Sequence, residues 1–241
     1  MKPPFVTAAP KLPKISVVIP TFDAARTLPA TLAALVPAAI DGLVKEVVVA
    51  DGGSQDETAR IAEAAGARVL AGPRGRGAQL AQGAAAARGD WLLFLHADTV
   101  LEETWAEEAR AFLGETDRAA VFTLAFDAKG FAPRLVAAGA MARTRLLGAP
   151  YGDQGLLIAR ALYEAIGGFR PLPLFEDVDM IERLIKAKRR RALHVFRSKA
   201  LTSAARYERD GYMRRVLKNA WCLALYRFGA SPARIAEIYA R

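Results

Sequence analysis

The chain has 241 residues, 53% of them hydrophobic and 24% charged, which is ordinary for a soluble globular protein. Its one cysteine, Cys222, excludes an internal disulfide and indicates a reducing compartment, which we take to be the cytoplasm. No apolar run approaches the roughly 18 residues of a transmembrane helix. The proline-broken residues 1–14 lack the apolar core of a signal peptide, so we expect a loose N-terminal arm there.

The formal net charge of +9 is concentrated in the C-terminal quarter. Residues 183–241 contain 16 Lys and Arg against 3 Asp and Glu, a balance of +13, which leaves −4 for the rest of the chain. Such a basic block is typical of a surface that binds nucleic acid, anionic lipid or a polyphosphate, and equally of a solvated face that keeps a protein in solution. The charge pattern alone leaves these interpretations open.

The first hundred residues alternate between apolar runs and helical patterns. The predicted elements are, in order, a strand at 15–19, a helix at 24–36, a strand at 46–50, a helix at 56–66, a strand at 67–70, a glycine-rich loop at 72–77, a helix at 78–89 and a strand at 91–95. Continuous apolar strands that alternate with helices are typical of a parallel sheet covered by helices on both faces. We therefore predict an α/β fold.

The second half of the chain is less regular. It predicts a strand at 119–127, a helix at 132–148, a helix that starts near Asp177 and a basic helix within 207–229. One stripe of this last helix is apolar, which indicates core packing more than contact with a membrane; its residues are Met213, Val216, Leu217, Ala220, Trp221, Ala224 and Phe228. No linker is evident, so we expect one domain over 1–241 with a helical C-terminal extension at 207–241.

Polar motifs follow the predicted strands of the first half. They read "PTFD" (20–23), "DGGSQD" (51–56), "GPRGRG" (72–77) and "HADT" (96–99). In an open parallel sheet, ligands bind beyond the carboxyl ends of the strands, where such motifs meet at one rim. Glycines let a backbone approach a ligand closely, and arginines before a helix suit an anion. Each motif alone also fits an ordinary turn, but together they predict a binding site.

Two acidic motifs are candidates for chemistry. His96 and Asp98 lie two residues apart on an extended segment, so both side chains point the same way and could ligate one divalent metal. A lone histidine at a strand end is, however, more often a structural hydrogen-bonding residue. Glu176 and Asp177 follow the loop "GGFRPLP" and fit either a helix N-terminus or a general base that stays ionised near neutral pH.

Four segments together resemble glycosyltransferase family 2. They are "VVIPTFDAARTLPATLAAL", "EVVVADGGSQDET", "GRGAQLAQGAAAARGDWLLFLHADT" and "GGFRPLPLFEDVDMIERL", and the resemblance covers about residues 15–210. It implies the GT-A fold of nucleotide-diphospho-sugar transferases, with a Rossmann-like, mostly parallel sheet flanked by helices. Within the family, the chain is similar to the small bacterial radical-SAM/selenodomain-associated transferases. The implied reaction is inverting transfer of a sugar from a nucleotide diphosphate, preferably UDP, to an acceptor hydroxyl, assisted by Mn²⁺ or Mg²⁺.

The same resemblance implies roles for individual residues. The nucleotide and donor would be bound by Pro20, Thr21, Asp23, Asp51, Gly52, Gly53, Arg74, Arg76, His96, Ala97, Asp98 and Arg206. Gly152, Asp153 and Gln154 would form a loop on the acceptor side or beside the donor sugar. Asp177, with Glu176 beside it, would activate the acceptor, and Asp98 would bind the metal. Where the family has an acid this chain has His96, which supplies no negative charge, so the identity and affinity of the metal stay open.

Two other function classes fit parts of the sequence. A nucleotidyltransferase on a related sheet would make a sugar nucleotide, but it would need a glycine-rich, lysine-bearing loop where this chain reads "PTFDAAR" (20–26). The basic run "KAKRRR" (186–191) lacks the aromatic residues that RNA binding favours, so we expect no nucleic-acid partner. A non-catalytic module could instead bind a membrane surface through 211–228, which combines aromatic and basic residues. A lipid-linked acceptor at the inner face of the membrane would unite both functions; glycans, peptides and small molecules are equally open as acceptors.

Overall fold

The computed structural model describes residues 13–240. Its strands are β1 (Ile15–Thr21), β2 (Val44–Asp51), β3 (Arg68–Ala71), β4 (Trp91–Phe94), β5 (Thr99–Leu101), β6 (Ala119–Phe126), β7 (Leu156–Ala159) and β8 (Leu193–Thr202). Its α-helices are α1 (Leu28–Ala33), α2 (Val36–Ile40), α3 (Thr58–Ala64), α4 (Arg76–Ala86), α5 (Trp105–Phe112), α6 (Phe131–Leu147), α7 (Arg160–Ala165), α8 (Glu176–Lys188), α9 (Ala205–Asp210), α10 (Tyr212–Arg227) and α11 (Pro232–Ala240). Most of the predicted N-terminal arm falls outside the described residues.

All eight strands form one sheet in the order β3-β2-β1-β4-β7-β6-β8-β5. The first four strands are parallel, with β1 between β2 and β4, which confirms the arrangement predicted for the first half of the chain. The second half is mixed, because β7 runs antiparallel to both β4 and β6, while β6 pairs in parallel with β8. The sheet is therefore less parallel than the sequence predicted.

Several elements differ from their predictions for physical reasons. The helix predicted at 24–36 is two short helices, because Pro37 has no amide hydrogen to continue a single helix and stands instead in the first turn of α2. Strand β8 was not predicted. Its inward-facing residues include Ser198 and Thr202, and its outward-facing ones are basic, so the two-residue period does not show as alternating hydrophobicity.

The core lies around the central strands. Val17, Leu93 and Ile158, from β1, β4 and β7, have no exposed surface, and Trp91 and Phe122 pack beside them. Because these neighbouring strands are buried, the carboxyl ends of β1 and β4 are held rigidly side by side. The motifs were expected to share this edge of the sheet. The edge therefore adjoins the buried core of the molecule.

The apolar stripe predicted to pack in the core lies on the surface instead. Met213, Leu217 and Trp221 on α10 are 67%, 62% and 61% exposed. The helix packs through its other side against α6, α9 and α11 and buries Arg215 and Cys222 there. The expectation of core packing was therefore wrong, because α10 lies on other helices and not on the sheet. None of the helices between residues 13 and 240 has the length and apolarity needed to span a bilayer.

Candidate active site

A cavity of about 810 Å³ opens at the carboxyl ends of β1 and β4. This volume is within the usual range, ~300–1,000 Å³, of sites for small molecules and cofactors. Its other walls are the start of α8 and helices α9 to α11. The predicted site residues that line it are Pro20, Thr21, Asp23, Arg74, Arg76, His96, Ala97, Asp98, Asp153, Glu176, Asp177 and Arg206. The structure therefore brings together most of the residues selected from the sequence.

His96 leaves the sheet two residues after β4 ends and pairs with an acid. Its Nδ1 lies 3.1 Å from Oδ1 of Asp153, and only 14% of the histidine side chain is exposed. Burial works against ionisation of Asp153, but the hydrogen bond and charge of His96, together with Arg76 and Arg206, lower its pKa to about 2. Because Nδ1 faces this carboxylate, Nε2 is the ring atom left for a ligand.

The donor atoms at this edge fit a metal that is shared with a substrate. No cluster of three or more His, Cys, Asp and Glu side chains suited to a metal exists between residues 13 and 240. His96 and Asp98 offer one nitrogen and one carboxylate in the cavity. Metals at phosphate sites are commonly held by one or two side chains plus substrate oxygens, and a carboxylate behind a histidine ligand orients its ring. The residues fit a divalent ion bound together with a diphosphate.

The two acids at the start of α8 have different surroundings. Glu176 is buried and lies 3.3 Å from Nη1 of Arg76. Its burial raises the pKa of Glu176, and the charge of Asp177 adds to this against the opposing charge of Arg76. Asp177 is partly exposed and accepts hydrogen bonds from the backbone N–H of Gly152 at 2.6 Å and of Val178 at 2.8 Å. Asp177 is thus the fixed carboxylate that a substrate can reach.

Arginines supply positive charge around the cavity. Arg74 stacks over the Phe22 ring at 3.8 Å, and Arg76 is the first residue of α4. Arg206 on α9 is exposed and forms no ion pair within residues 13–240. Arg215 is buried, 3.1 Å from Asp210, and also donates to the hydroxyl of Tyr239. Arg74 and Arg206 are therefore the cations most free to bind an anionic ligand.

The motif at 51–53 lies beside the cavity and not on its wall. The Asp51 carboxylate accepts hydrogen bonds from the hydroxyl of Thr21 at 2.8 Å, the amide of Gly53 at 3.1 Å and both the amide and hydroxyl of Ser54. Burial opposes its ionisation, but these bonds hold the pKa of Asp51 below its usual value. In this structure Asp51 organises the loop, with Gly52 in close contact with Arg74. Its direct role in nucleotide binding stays a prediction.

The structure corrects the position of one predicted residue in the 152–154 turn. Gln154 is buried; its Nε2 donates to the Phe122 carbonyl at 3.0 Å, and its Oε1 accepts from the Thr144 hydroxyl at 2.7 Å. Its amide is used inside the core, so it cannot contact a substrate. Gly152 lies between His96 and Asp177, and Asp153 reaches the main cavity.

Part of the cavity wall was not predicted. Much of it comes from the second half of the chain and includes Phe126, Tyr207, Arg215, Asn219 and Tyr239. Burial and the nearby Asp153 carboxylate raise the pKa of Tyr207 to about 12, so its phenol stays protonated. The available signal was the spacing of Arg215, Asn219 and Cys222, which forms a helical stripe opposite the apolar one.

Comparison with known proteins finds similarity of sequence and of fold. The sequence model of the family described as Glycosyl transferase family 2 matches residues 16–146. A glucosyl-3-phosphoglycerate synthase of Mycolicibacterium paratuberculosis is 38% identical over 95 residues, which are 36% of this chain and 29% of that protein. The enzyme of the same name from Mycobacterium tuberculosis is 35% identical over 95 residues. The matched region thus spans less than a third of the length of these relatives.

Solved structures of the Mycobacterium tuberculosis protein share the fold. Its complex with Mn²⁺, uridine diphosphate and phosphoglyceric acid has a TM-score of 0.61 at 23% identity, covering 90% of this chain and 79% of that one. Its complex with Mn²⁺, UDP-glucose and phosphoglyceric acid has a TM-score of 0.56 at 25% identity, covering 76% and 69%. The eight-stranded sheet and its helices are therefore arranged as in these structures.

Proposed function

We propose that this chain, which belongs to glycosyl transferase family 2 and has the GT-A fold, transfers a sugar from a nucleotide diphosphate to an acceptor hydroxyl. A UDP-sugar is the favoured donor, and Mn²⁺ or Mg²⁺ the cofactor. One observation supports this best: a fixed carboxylate, Asp177, and two candidate metal ligands, His96 and Asp98, line the same cavity from different elements. Glycosyl transfer needs both, one to accept a proton and the other to hold the leaving diphosphate.

In the proposed reaction, the acceptor oxygen forms a bond to the anomeric carbon as the bond from that carbon to the diphosphate breaks. The electron pair of the broken bond leaves with the diphosphate, and Asp177 takes the proton of the acceptor hydroxyl. A bound divalent metal supplies positive charge for the leaving group. A single displacement of this kind inverts the anomeric centre. The backbone N–H groups of Gly152 and Val178 hold the Asp177 carboxylate in a fixed orientation.

The remaining cavity residues are proposed to hold the donor. Pro20, Thr21 and Asp23 lie at the end of β1, where the nucleotide would bind. Arg74 and Arg206 suit the diphosphate, because neither has its charge used by an acid within the described residues. Arg76 is paired with Glu176 and would act on the diphosphate only through its remaining N–H groups.

The first test is calorimetric titration of UDP and GDP, each with and without Mn²⁺ or Mg²⁺. We expect metal-dependent binding of one nucleotide by the wild type and its loss in Asp98→Ala. Asp117→Ala, which removes an exposed acid far from the cavity, is the matched control and should bind like the wild type. No binding of either nucleotide by the folded wild type would contradict the proposal.

The competing nucleotidyltransferase reaction is separated by its products. A nucleotidyltransferase incubated with a sugar phosphate and a nucleoside triphosphate would release pyrophosphate. A glycosyltransferase releases a nucleoside diphosphate from its donor. No lysine lines the cavity within residues 13–240, which favours glycosyl transfer.

The acceptor has to be found by screening. Since structures of the relative contain phosphoglyceric acid, small hydroxylated acids are the first to test. The narrower assignment to radical-SAM/selenodomain-associated transferases, and the cytoplasmic location, stay predictions.

We also propose that the enzyme contacts an anionic membrane through α6 and α10, which touch each other. Exposed apolar residues on the two helices are Phe131, Leu135, Leu147, Met213, Leu217 and Trp221. Neither helix contains an acid, and apart from the buried Arg215 their basic residues are Arg134, Arg143, Arg145, Arg214, Lys218 and Arg227. Apolar and aromatic side chains among cations are typical of helices at anionic lipid surfaces. A second copy on this surface would bring like charges together.

Vesicle co-sedimentation tests the membrane proposal. We expect binding to vesicles that contain phosphatidylserine, weaker binding at high salt, and little binding to phosphatidylcholine alone. Leu217→Ser combined with Trp221→Ala should reduce binding, whereas Ile40→Ser, an exposed apolar residue on α2, should not. Absence of binding at low salt, or a wild-type dimer that the double variant dissolves, would overturn it.

A further inference from the structure

The residue that precedes the two acids of α8 has an uncommon backbone conformation. Phe175 has φ +65° and ψ +24°, in the left-handed region that favours glycine. In the described part of the chain three residues other than glycine have positive φ, and two of them, Asp23 and Phe175, line the cavity. A backbone of this kind persists only where its surroundings hold it. The contacts of Phe175 therefore show what fixes the start of α8.

The ring of Phe175 is held by the C-terminal extension. It packs on the ring of Tyr226 in α10, with centroids 4.9 Å apart and planes inclined by 36°. A second link between the same helices, from Arg227 to Glu182 at 3.0 Å, joins two exposed side chains and is expected to contribute little. The aromatic contact is thus the stronger connection between α10 and the start of α8.

The positions of both acids depend on this backbone. Glu176 and Asp177 follow Phe175 directly, and they reach in different directions, Glu176 to Arg76 and Asp177 to the amide of Gly152. A change of the Phe175 dihedral angles would turn the first turn of α8 and move the Asp177 carboxylate. A misplacement of ~1 Å in a catalytic group can reduce the rate by ~100-fold.

We propose that Tyr226 is a positioning residue for Asp177 and acts through the ring of Phe175. The C-terminal extension then completes an active site whose nucleotide side lies within residues 16–146, the part matched by the family. This inference rests on the proposed role of Asp177 as the base. The new element is α10, which sets the geometry of catalysis. This helix lies outside residues 16–146, and its Tyr226 does not touch the reacting atoms.

The test compares Tyr226→Ala with Tyr226→Phe. Tyr226→Ala should lower kcat by about 10- to 100-fold and leave the UDP dissociation constant and the donor KM within about twofold, because only the base is displaced. Tyr226→Phe keeps the ring and should restore kcat to near the wild-type value. Glu182→Ala, which breaks the neighbouring ion pair but leaves the ring, is the matched control and should behave like the wild type.

Hydrogen–deuterium exchange of residues 170–180 gives a readout that does not require activity. Tyr226→Ala should exchange faster in this segment than the wild type, and Tyr226→Phe should not. Unchanged exchange and unchanged kcat in Tyr226→Ala would overturn the positioning role. A loss of kcat that Tyr226→Phe fails to restore would also overturn it, since the hydroxyl would then be responsible. A wild type that transfers no sugar refutes the proposed function instead, and leaves the exchange result to decide whether Tyr226 holds the segment.

Discussion

Gly152 is the position where one added methyl group should disturb the candidate site most directly. A Cβ atom there would lie 2.7 Å from Nε2 and 3.0 Å from Cε1 of His96, and 3.3 Å from Oδ2 of Asp177. The φ angle of Gly152 is not in the left-handed region, so its backbone accepts alanine. Gly152→Ala therefore acts through contact with His96 and not through backbone strain.

The expected effect of Gly152→Ala on stability and rate follows from these distances. Non-bonded heavy atoms pack at about 3.5 Å or more, so the His96 ring has to withdraw by roughly 0.5–1 Å. Overfilling of a packed site costs about 1–3 kcal/mol of stability. A displacement of ~1 Å in a ligand that holds the leaving group reduces the rate by ~100-fold, which corresponds to ~2.7 kcal/mol in the activation free energy.

The assay measures kcat and the Mn²⁺ concentration that gives half-maximal UDP binding. We expect Gly152→Ala to lower kcat by about 100-fold and to need roughly ten times more Mn²⁺, because His96 Nε2 is displaced from the metal. Gly139→Ala in α6 is the matched control, since a Cβ atom there meets nothing within 4 Å. It should leave activity unchanged and stabilise the fold by about 0.5–1 kcal/mol. A folded Gly152→Ala with wild-type turnover and Mn²⁺ dependence would refute the placement of His96 at the metal.

Three further predictions concern charged residues of the cavity. Asp177→Asn should lower kcat by about 10²- to 10⁴-fold and leave UDP binding unchanged in calorimetry; a loss below tenfold would assign the base elsewhere. Arg206→Ala should raise the donor KM by about tenfold without changing the unfolding temperature, because the exposed side chain contributes a charged hydrogen bond to the ligand alone; an unchanged KM would exclude a donor contact. Asp153, with its pKa depressed to about 2, should stabilise the fold above pH ~4, by less than ~1 kcal/mol because the side chain is 43% exposed. That contribution should vanish as the pH falls through 2, so urea unfolding of the wild type and Asp153→Asn should differ at pH 6 and converge near pH 2.

The first half of the fold was predictable because its sequence pattern is local. Apolar strands, helical spacing and glycine-rich turns each lie within a few residues, and the rule that ligands bind at the carboxyl ends of parallel strands then placed the motifs together. The second half mixes parallel and antiparallel pairing. Strand β8 hides its period behind buried Ser198 and Thr202, and β5 is only three residues long. No local pattern separates such strands from loops.

The candidate site also has a part that local motifs predict and a part that they do not. Asp98 and Asp177 stand next to element ends in the sequence, so they could be selected from their motifs. The buried bonding of Gln154 could not be predicted, because its amide bonds to Phe122 on β6 and Thr144 on α6, which only the folded chain brings alongside. For α10, helical spacing correctly placed the apolar residues on one stripe, but hydrophobicity alone did not show which side of the helix faces the protein. The cavity takes the stripe of Arg215 and Asn219, and the apolar stripe faces outward.

Position 96 shows how a change in a motif can be accompanied by a carboxylate from another part of the fold. The family resemblance places an acid there, and a neutral histidine alone would lower the affinity for a cation. In the structure, Phe94 pairs with Leu156 across the antiparallel β4–β7 ladder, so the residues just beyond the two strands, His96 and Asp153, meet at 3.1 Å. The Asp153 carboxylate thus lies beside the histidine that stands where the family has an acid. A carboxylate behind a histidine orients the ring and makes it a more basic ligand, which favours metal binding. This pairing depends on strand register, which the sequence of the motif does not contain.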